Sequence, residues 1–267
     1  MTTPVPTVSA ELKGVLRQVK LGRCLDTLPE RLALAKSRNM GHAEFLELVL
    51  SDEVTRRETT SAALRARSAG LDPDMCLEHW DETTEATFDS QTWDELCSLR
   101  FIDAGHNVMI MGPVGVGKSF MASVLGHVAV RRRYTVTFCR TAVLLKRLRA
   151  SRLDNSHDAE MRKLMRVDLL ILDDFALQPF DALDTADIYE LVVERHRSAS
   201  TLVTSNREPV EWIAQMTDAL LAQSAIDRLQ SAAYELILEG GSFRHHQKPG
   251  LDVGGTTPRA PRRRRRS

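Results

Sequence analysis

Eight consecutive residues, Gly112-Pro113-Val114-Gly115-Val116-Gly117-Lys118-Ser119, constrain the fold of this chain more than any other stretch. They fit G-x-x-x-x-G-K-[ST], the spacing of a phosphate-binding loop. Asn107 to Met111 leads into them as a short apolar run, and Phe120 to Val130 follows with apolar residues at helical spacing. The order is therefore strand, glycine loop, helix. The glycines let backbone N–H groups turn inward onto a phosphate, and the helix N-terminus adds its positive end. Residues Gly112 through Phe120 then form a nucleotide cradle, in which Lys118 reaches the outer phosphates and the Ser119 hydroxyl sits on Mg²⁺.

From about residue 101 the pattern alternates strand and helix, which predicts a parallel sheet covered on both faces. The expected strands after the first are Tyr134 to Cys139, Leu169 to Asp173, Thr201 to Ser205 and Tyr234 to Leu238. Helices are expected over Ala142 to Arg152, up to Met165, from a cap at Asp181 or Asp184 to Arg197, over Val210 to Met216, and over Ala219 to Leu229. Residues 9 to 70 read as helical. Leu12, Val15, Leu16 and Val19 share one face, Leu25, Leu28, Leu32 and Ala35 form a second stripe, and a third helix starts near Phe45 and ends at Gly70. The division is a helical N-terminal domain (1–70), an acidic linker (71–100), an α/β domain (101–247) and a disordered basic tail (248–267). Trp80, Phe88 and Trp93 read as anchors of the linker on a neighbouring surface.

Leu169-Leu170-Ile171-Leu172-Asp173-Asp174 is an apolar strand ending in two acids, and strand direction brings them to the sheet edge where the phosphates sit. Asp173 is placed to hold Mg²⁺ through water, with Ser119, and Asp174 to polarise the water that attacks the γ-phosphate. Asn206 ends the next strand at the same edge and can orient that water; an ordinary turn Asn is the alternative. Arg228 lies too far along the chain to serve its own phosphate simply. It fits either an Arg presented to a neighbouring subunit's γ-phosphate or an intrachain surface pair with Asp227.

Formal charge balances at 36 basic against 36 acidic residues, but unevenly. Arg259 and Arg262 to Arg266 put six positive charges in the last nine residues, while residues 69 to 99 hold nine carboxylates and no Lys or Arg. The acidic strip is unsuited to phosphate backbone, and the Arg tail suits it or is simply a solvated end. Apolar runs stop short of a membrane span, the N-terminus lacks a signal-peptide pattern, and four scattered cysteines form no CxxC pair. These features predict a cytoplasmic protein with neither zinc nor a disulfide framework.

The order GPVGVGKS, LLILDDF, TLVTSNREPVEW, SAIDRL and GGSFR, with AEFLELVLSDEVTRRE upstream, closely resembles the IstB-like ATPases over about residues 10 to 247. These are AAA+ transposition helpers related to the DnaC-like helicase loaders. The resemblance implies an AAA+ P-loop core with a five-stranded parallel sheet, a small all-helical N-terminal domain and no full C-terminal lid. It implies ATP and Mg²⁺ as ligands, an oligomer of identical chains on double-stranded DNA, and a partner transposase. By matching position, Lys118 and Ser119 are the Walker A residues, Asp173 and Asp174 the Walker B pair, Asn206 the first sensor and Arg228 the arginine finger; the role of Arg244 stays open. The paired helices between the second and third strands match an insertion that loader-type relatives use to grip DNA. Lys146, Arg147, Arg149 and Arg152 are then the phosphate contacts, although helix faces carry such charges for solubility as well.

Two departures from the family pattern bear on chemistry. Many AAA+ proteins carry Glu where Asp174 stands, and the shorter acid sits about 1.5 Å further back, which implies slow turnover; a DNA-binding regulator of transposition is expected to be DNA-stimulated as well. Too few residues follow the fifth strand for a helical lid, so a neighbouring subunit is expected to close the site. A replicative helicase loader and a nucleotide-gated DNA scaffold with incidental hydrolysis remain the alternatives.

Overall fold

The computed structural model describes residues 8–77, 86–231 and 233–241. Trp80, Arg244, the expected tail and the question of a lid lie outside the described residues.

Five parallel strands form one sheet in the order β2-β3-β4-β1-β5. They are β1 (Asn107–Met111), β2 (Val136–Arg140), β3 (Leu169–Asp173), β4 (Ser200–Ser205) and β5 (Ala233–Ile237). The three central strands are buried along their whole length, which is why their sequences are nearly unbroken apolar runs. Side chains alternate between two cores. Val108, Ile110, Leu169, Ile171 and Leu202 point to one face, and Met109, Met111, Leu170, Leu172 and Val203 to the other.

The first face is covered by α6 (Lys118–Arg131) through Met121, Ala122, Leu125 and Ala129. Helices α7 (Thr141–Leu153), α8 (His157–Arg166), α9 (Ala182–Arg195), α10 (Pro209–Ile213) and α11 (Ala219–Gln230) cover the second through residues such as Leu144, Leu148, Leu164, Ile188, Trp212 and Ile226. Asp181 is the N-cap of α9, and it forms a capping box with Asp184. The helix ends at Arg195 rather than Arg197. The Arg195 guanidinium turns inward to the carbonyls of Leu164, Val167 and Ser200, and burial lowers its pKa to about 10.

The helical N-terminal region consists of α1 (Ala10–Gln18), a 3₁₀ turn at Gly22–Asp26, α2 (Leu28–Arg38) and the 27-residue α3 (His42–Ser68). Cys24, Leu28 and Val49 make a small core with Leu16, Leu25, Leu32 and Phe45 around it. The expected apolar face of α1 is only partly used. Leu16 packs, whereas Leu12, Val15 and Val19 are exposed, because a nine-residue helix at the end of so small a cluster can turn only one edge inward.

Gly70 ends α3 at φ 82°, as its place in the sequence predicts. A Cβ there would lie 2.7 Å from Phe138 O. That close approach lets Phe138 N–H donate to Ala69 O at 2.7 Å, fastening the end of α3 to the edge strand β2.

The segment read as an acidic linker is corrected over its second half. Ser90–Ser98 is helix α4 and Arg100–Asp103 is helix α5, and Leu96, Leu99, Phe101 and Ile102 are buried in the first core. Its acids face outward: Asp89 caps α4 by accepting from the amides of Gln91 and Thr92, and Glu95 pairs with Arg100. Phe88 and Trp93 pack edge to face with centroids 6.1 Å apart and lie against the same core.

Candidate active site

The glycine loop joins the C-terminal end of β1 to the first turn of α6. Three of its residues sit where φ is positive: Gly112 at 149°, Gly115 at 86° and Gly117 at 104°. Gly112 is required by space as well as by conformation, since a Cβ would meet Leu238 O at 2.2 Å. That carbonyl cannot retreat, because its residue's N–H donates to Met111 O at 2.7 Å and so holds the chain beyond β5 against β1. A Cβ on Gly117 would meet nothing within 4 Å, so only its left-handed backbone demands glycine, and the space beside it is open.

Lys118 Nζ donates to Gly112 O at 2.8 Å and Pro113 O at 2.7 Å, so its buried ammonium lies folded under the loop. Ser119 is the second residue of α6, beside the N-terminal end of that helix.

Strand β4 lies between β1 and β3, with Met111 opposite Ser205 and Leu172 opposite Val203. Asp173, Asp174 and Asn206 therefore emerge at the same sheet edge as the loop. The organiser of this edge is Thr204, to which the sequence pattern assigns no role. Its Oγ1 donates to Asp173 Oδ1 at 2.6 Å and accepts from Asp174 N–H at 3.0 Å. Thr141 Oγ1 donates to Asp173 O at 3.0 Å from the start of α7.

Asp174 adopts φ 54°, a left-handed turn that carries its side chain into solvent while Phe175 returns to the core. Phe175 N–H donates to Thr204 O at 2.8 Å, and Ser205 Oγ donates to Phe175 O at 2.9 Å. The Phe175 ring lies 4.9 Å from Trp212 and 5.6 Å from Phe180 between centroids. The turn presenting Asp174 is thus clamped by hydrogen bonds on one side and aromatic packing on the other. Asn206 follows, exposed.

These groups fit a nucleoside triphosphate with Mg²⁺. A ring of positive-φ glycines beside a helix N-terminus, a lysine with nearby carbonyls it can exchange for phosphate oxygens, and a buried acid behind a hydroxyl supply the anion and metal contacts. Among the described residues no cluster of three or more His, Cys, Asp or Glu is arranged to hold a metal alone. Burial raises the Cys97 and Cys139 thiols to about 11, so neither is a ready nucleophile. A large cavity, about 900 Å³, lies elsewhere, at the seam of α3 and α6 near Ala66, Leu71, His127 and Val130.

Arg228 stands apart from this edge. The side chain of Asn107, first residue of β1, donates to Arg228 O at 3.4 Å and Leu229 O at 3.1 Å. The end of α11 is therefore at the opposite rim of the sheet, about 15 Å from the loop at 3.3 Å per strand residue. The guanidinium bonds Ser224, through its carbonyl at 2.8 Å and its hydroxyl, rather than Asp227.

A model of the family described as IstB-like ATP binding protein matches residues 14–250. This chain belongs to the IstB-like ATP-binding proteins. The IstB-like chain is 35% identical over 240 residues to an insertion-sequence ATP-binding protein of Mycobacterium tuberculosis, covering 90% of this chain and 96% of that one. It is 33% identical to another from Sinorhizobium fredii, covering 88% and 95%. Among solved structures, DnaI superposes with a TM-score of 0.53 at 17% identity, over 67% of this chain and 98% of that one. AMPPCP-bound DnaA from Aquifex aeolicus gives 0.51 at 19% identity, over 62% and 50%. At such identities the likeness establishes the fold alone. No helix among the described residues is long and apolar enough to cross a membrane.

Within the IstB-like fold, the four cations expected on α7 divide. Lys146 and Arg147 are exposed, the latter 3.4 Å from Glu160. Arg149, its side chain as exposed as that of Arg147, and the half-buried Arg152 both bond acids of α9, Asp184 and Asp187. These two cations thus carry intramolecular partners as well, and Arg149 stays outward and exposed while paired. The sequence hid this because the acids lie 35 residues further along.

Proposed function

We propose that this chain binds ATP with Mg²⁺, hydrolyses it slowly at a site completed by a second copy, and assembles on double-stranded DNA to assist a partner transposase. The observation that carries the hydrolytic part is the convergence of Lys118, Ser119, Asp173, Asp174 and Asn206 on one sheet edge, with Thr204 fixing both acids. Lys118 exchanges the carbonyls of Gly112 and Pro113 for phosphate oxygens, trading neutral acceptors for charged ones. Ser119 and, through water, Asp173 would hold the metal, which would supply positive charge to offset that of the phosphates. Asp174 accepts the proton of the attacking water, and Asn206 orients that water.

Arg228 supports the intersubunit part of the reading. It lies at the rim opposite its own loop, so it serves a phosphate only if another chain presents one. Family membership, with relatives described as insertion-sequence ATP-binding proteins, favours a transposase over a helicase as partner. The test measures hydrolysis and particle size together, with and without ATP and duplex DNA. The reading expects larger particles and faster hydrolysis with both present. Equal size under all conditions would sink the assembly, and hydrolysis surviving Lys118→Ala would sink the site.

A further inference from the structure

Helix α9 carries two carboxylates, Asp184 and Asp187, each only 2% exposed. A charge removed from water persists only with a well-placed partner. Both partners come from α7. Arg149 Nε donates to Asp184 Oδ1 at 2.9 Å, its Nη2 bonds the second oxygen, and the same guanidinium reaches Asp181 Oδ2 at 3.0 Å. Arg152 holds Asp187 by two bonds of 2.8 and 2.5 Å, and His157 Nε2, opening α8, lies 3.3 Å from Asp187 Oδ1. The arginines are three residues apart and so are the acids, which places the two forks one turn apart along facing helices. Bidentate forks fix orientation as well as distance.

The acids also have a particular place in the chain. Asp181 and Asp184 form the capping box that starts α9, and residues 174–181 are the turn leaving β3. Arg149 therefore holds the far end of a segment whose near end is Asp174. A cavity of about 360 Å³ between α7 and this turn is lined by both residues, together with Lys146, Leu177 and Phe180.

We infer that Arg149 and Arg152 are positioning residues, a two-fork latch that makes α7, the 174–181 turn and Asp174 move as one body. A load on the outer face of α7, where Lys146 and Arg147 remain exposed, then reaches the acid beside the attacking water. The source of the load, duplex DNA, and the role of Asp174 beside water rest on the function proposed above; the latch itself does not.

The test compares the full chain with Asp187→Asn, which keeps the side chain's size, and with the charge swap Arg152→Asp plus Asp187→Arg. Amide hydrogen exchange is followed without DNA, and hydrolysis with and without it. The latch expects exchange in Asp187→Asn to rise about tenfold in α7 and in 174–181 together, and the ratio of stimulated to basal hydrolysis to drop severalfold. The swap returns both toward wild type. If it does not fold, Arg149→Lys replaces it, with partial coupling expected and full coupling counting against the fork. Exchange rising in α7 alone, or a stimulation ratio unmoved by Asp187→Asn, overturns the latch. So does a duplex-binding salt slope that falls by about 0.9 in Arg152→Gln, the signature of a lost phosphate contact. If wild-type hydrolysis ignores DNA, the proposed function fails while the exchange measurement still decides the latch.

Discussion

Replacing Thr204 by Val removes one hydroxyl from a fully buried position and changes little else in shape. That hydroxyl donates to a carboxylate at 2.6 Å and accepts from the amide of Asp174 at 3.0 Å. A hydrogen bond to a charged group contributes about 1.5–3 kcal/mol and a neutral one about 0.5–1.5 kcal/mol. The loss of stability should therefore be about 2–4.5 kcal/mol, read from urea unfolding monitored through the buried Trp212. Asp174 also occupies a left-handed conformation that costs a non-glycine residue about 1–2 kcal/mol, and its amide bond to Thr204 helps hold it there. Once released, the turn relaxes and the acid shifts. Every 1.4 kcal/mol lost at the transition state slows hydrolysis about tenfold, so single-turnover hydrolysis should fall about ten- to a hundredfold. ATP affinity should change by less than about threefold, a shift of under 0.7 kcal/mol, because the bonds of the Thr204 hydroxyl go to the acids of β3. Thr204→Ser should recover most of the rate. Wild-type hydrolysis in Thr204→Val would refute the idea that this hydroxyl positions the acids.

Further outcomes follow from the same geometry. Gly112→Ala forces a Cβ to within 2.2 Å of Leu238 O and should unfold the loop's junction with β5, whereas Gly117→Ala meets no atom within 4 Å. Thermal melts should separate them: a drop of many degrees for Gly112→Ala, and for Gly117→Ala only the roughly 1–2 kcal/mol of a left-handed alanine, with nucleotide binding weakened in both. Glu53, held by hydrogen bonds from Arg56 against the opposing effect of burial and further aided by Arg57, has its pKa lowered to about 2 from 4.5. A depressed carboxylate pKa contributes stability that is fully present above the unfolded value and is lost as pH falls through the folded one. Acid titration between about pH 4.5 and 2 should therefore loosen the N-terminal helices of wild type, and Glu53→Gln should be flatter over that window. Asp174→Ala should retain ATP binding by equilibrium dialysis and lose hydrolysis.

Most of the sheet was legible because its strands are parallel and doubly covered, so LLILD and NVMIM stand out as apolar runs bounded by turns. The glycine loop was legible because backbone geometry demands its residue types in fixed order. The helices at 90–103 were not, since Leu96, Leu99, Phe101 and Ile102 are interleaved with acids that make the stretch look like a linker. Arg149 and Arg152 share helical spacing with Lys146 and Arg147, and only the fold brings the acids of α9 to two of the four. Thr204 had a faint signal, a hydroxyl at the end of an otherwise apolar strand. Its reach across to the neighbouring strand depends on β3 and β4 being adjacent, which sequence order does not dictate.

The central claim is that one nucleotide is served by two chains, and a mixing experiment addresses it most directly. Asp174→Ala retains Arg228 but cannot activate water; Arg228→Ala retains Asp174 but presents no guanidinium to its neighbour. Each alone should hydrolyse ATP far more slowly than wild type on duplex DNA. Mixed in equal amounts, they form some junctions with an intact Asp174 facing an intact Arg228, and a substantial fraction of the wild-type rate should return. A mixture no faster than the average of its two components, or Arg228→Ala hydrolysing at the wild-type rate alone, would contradict the shared site.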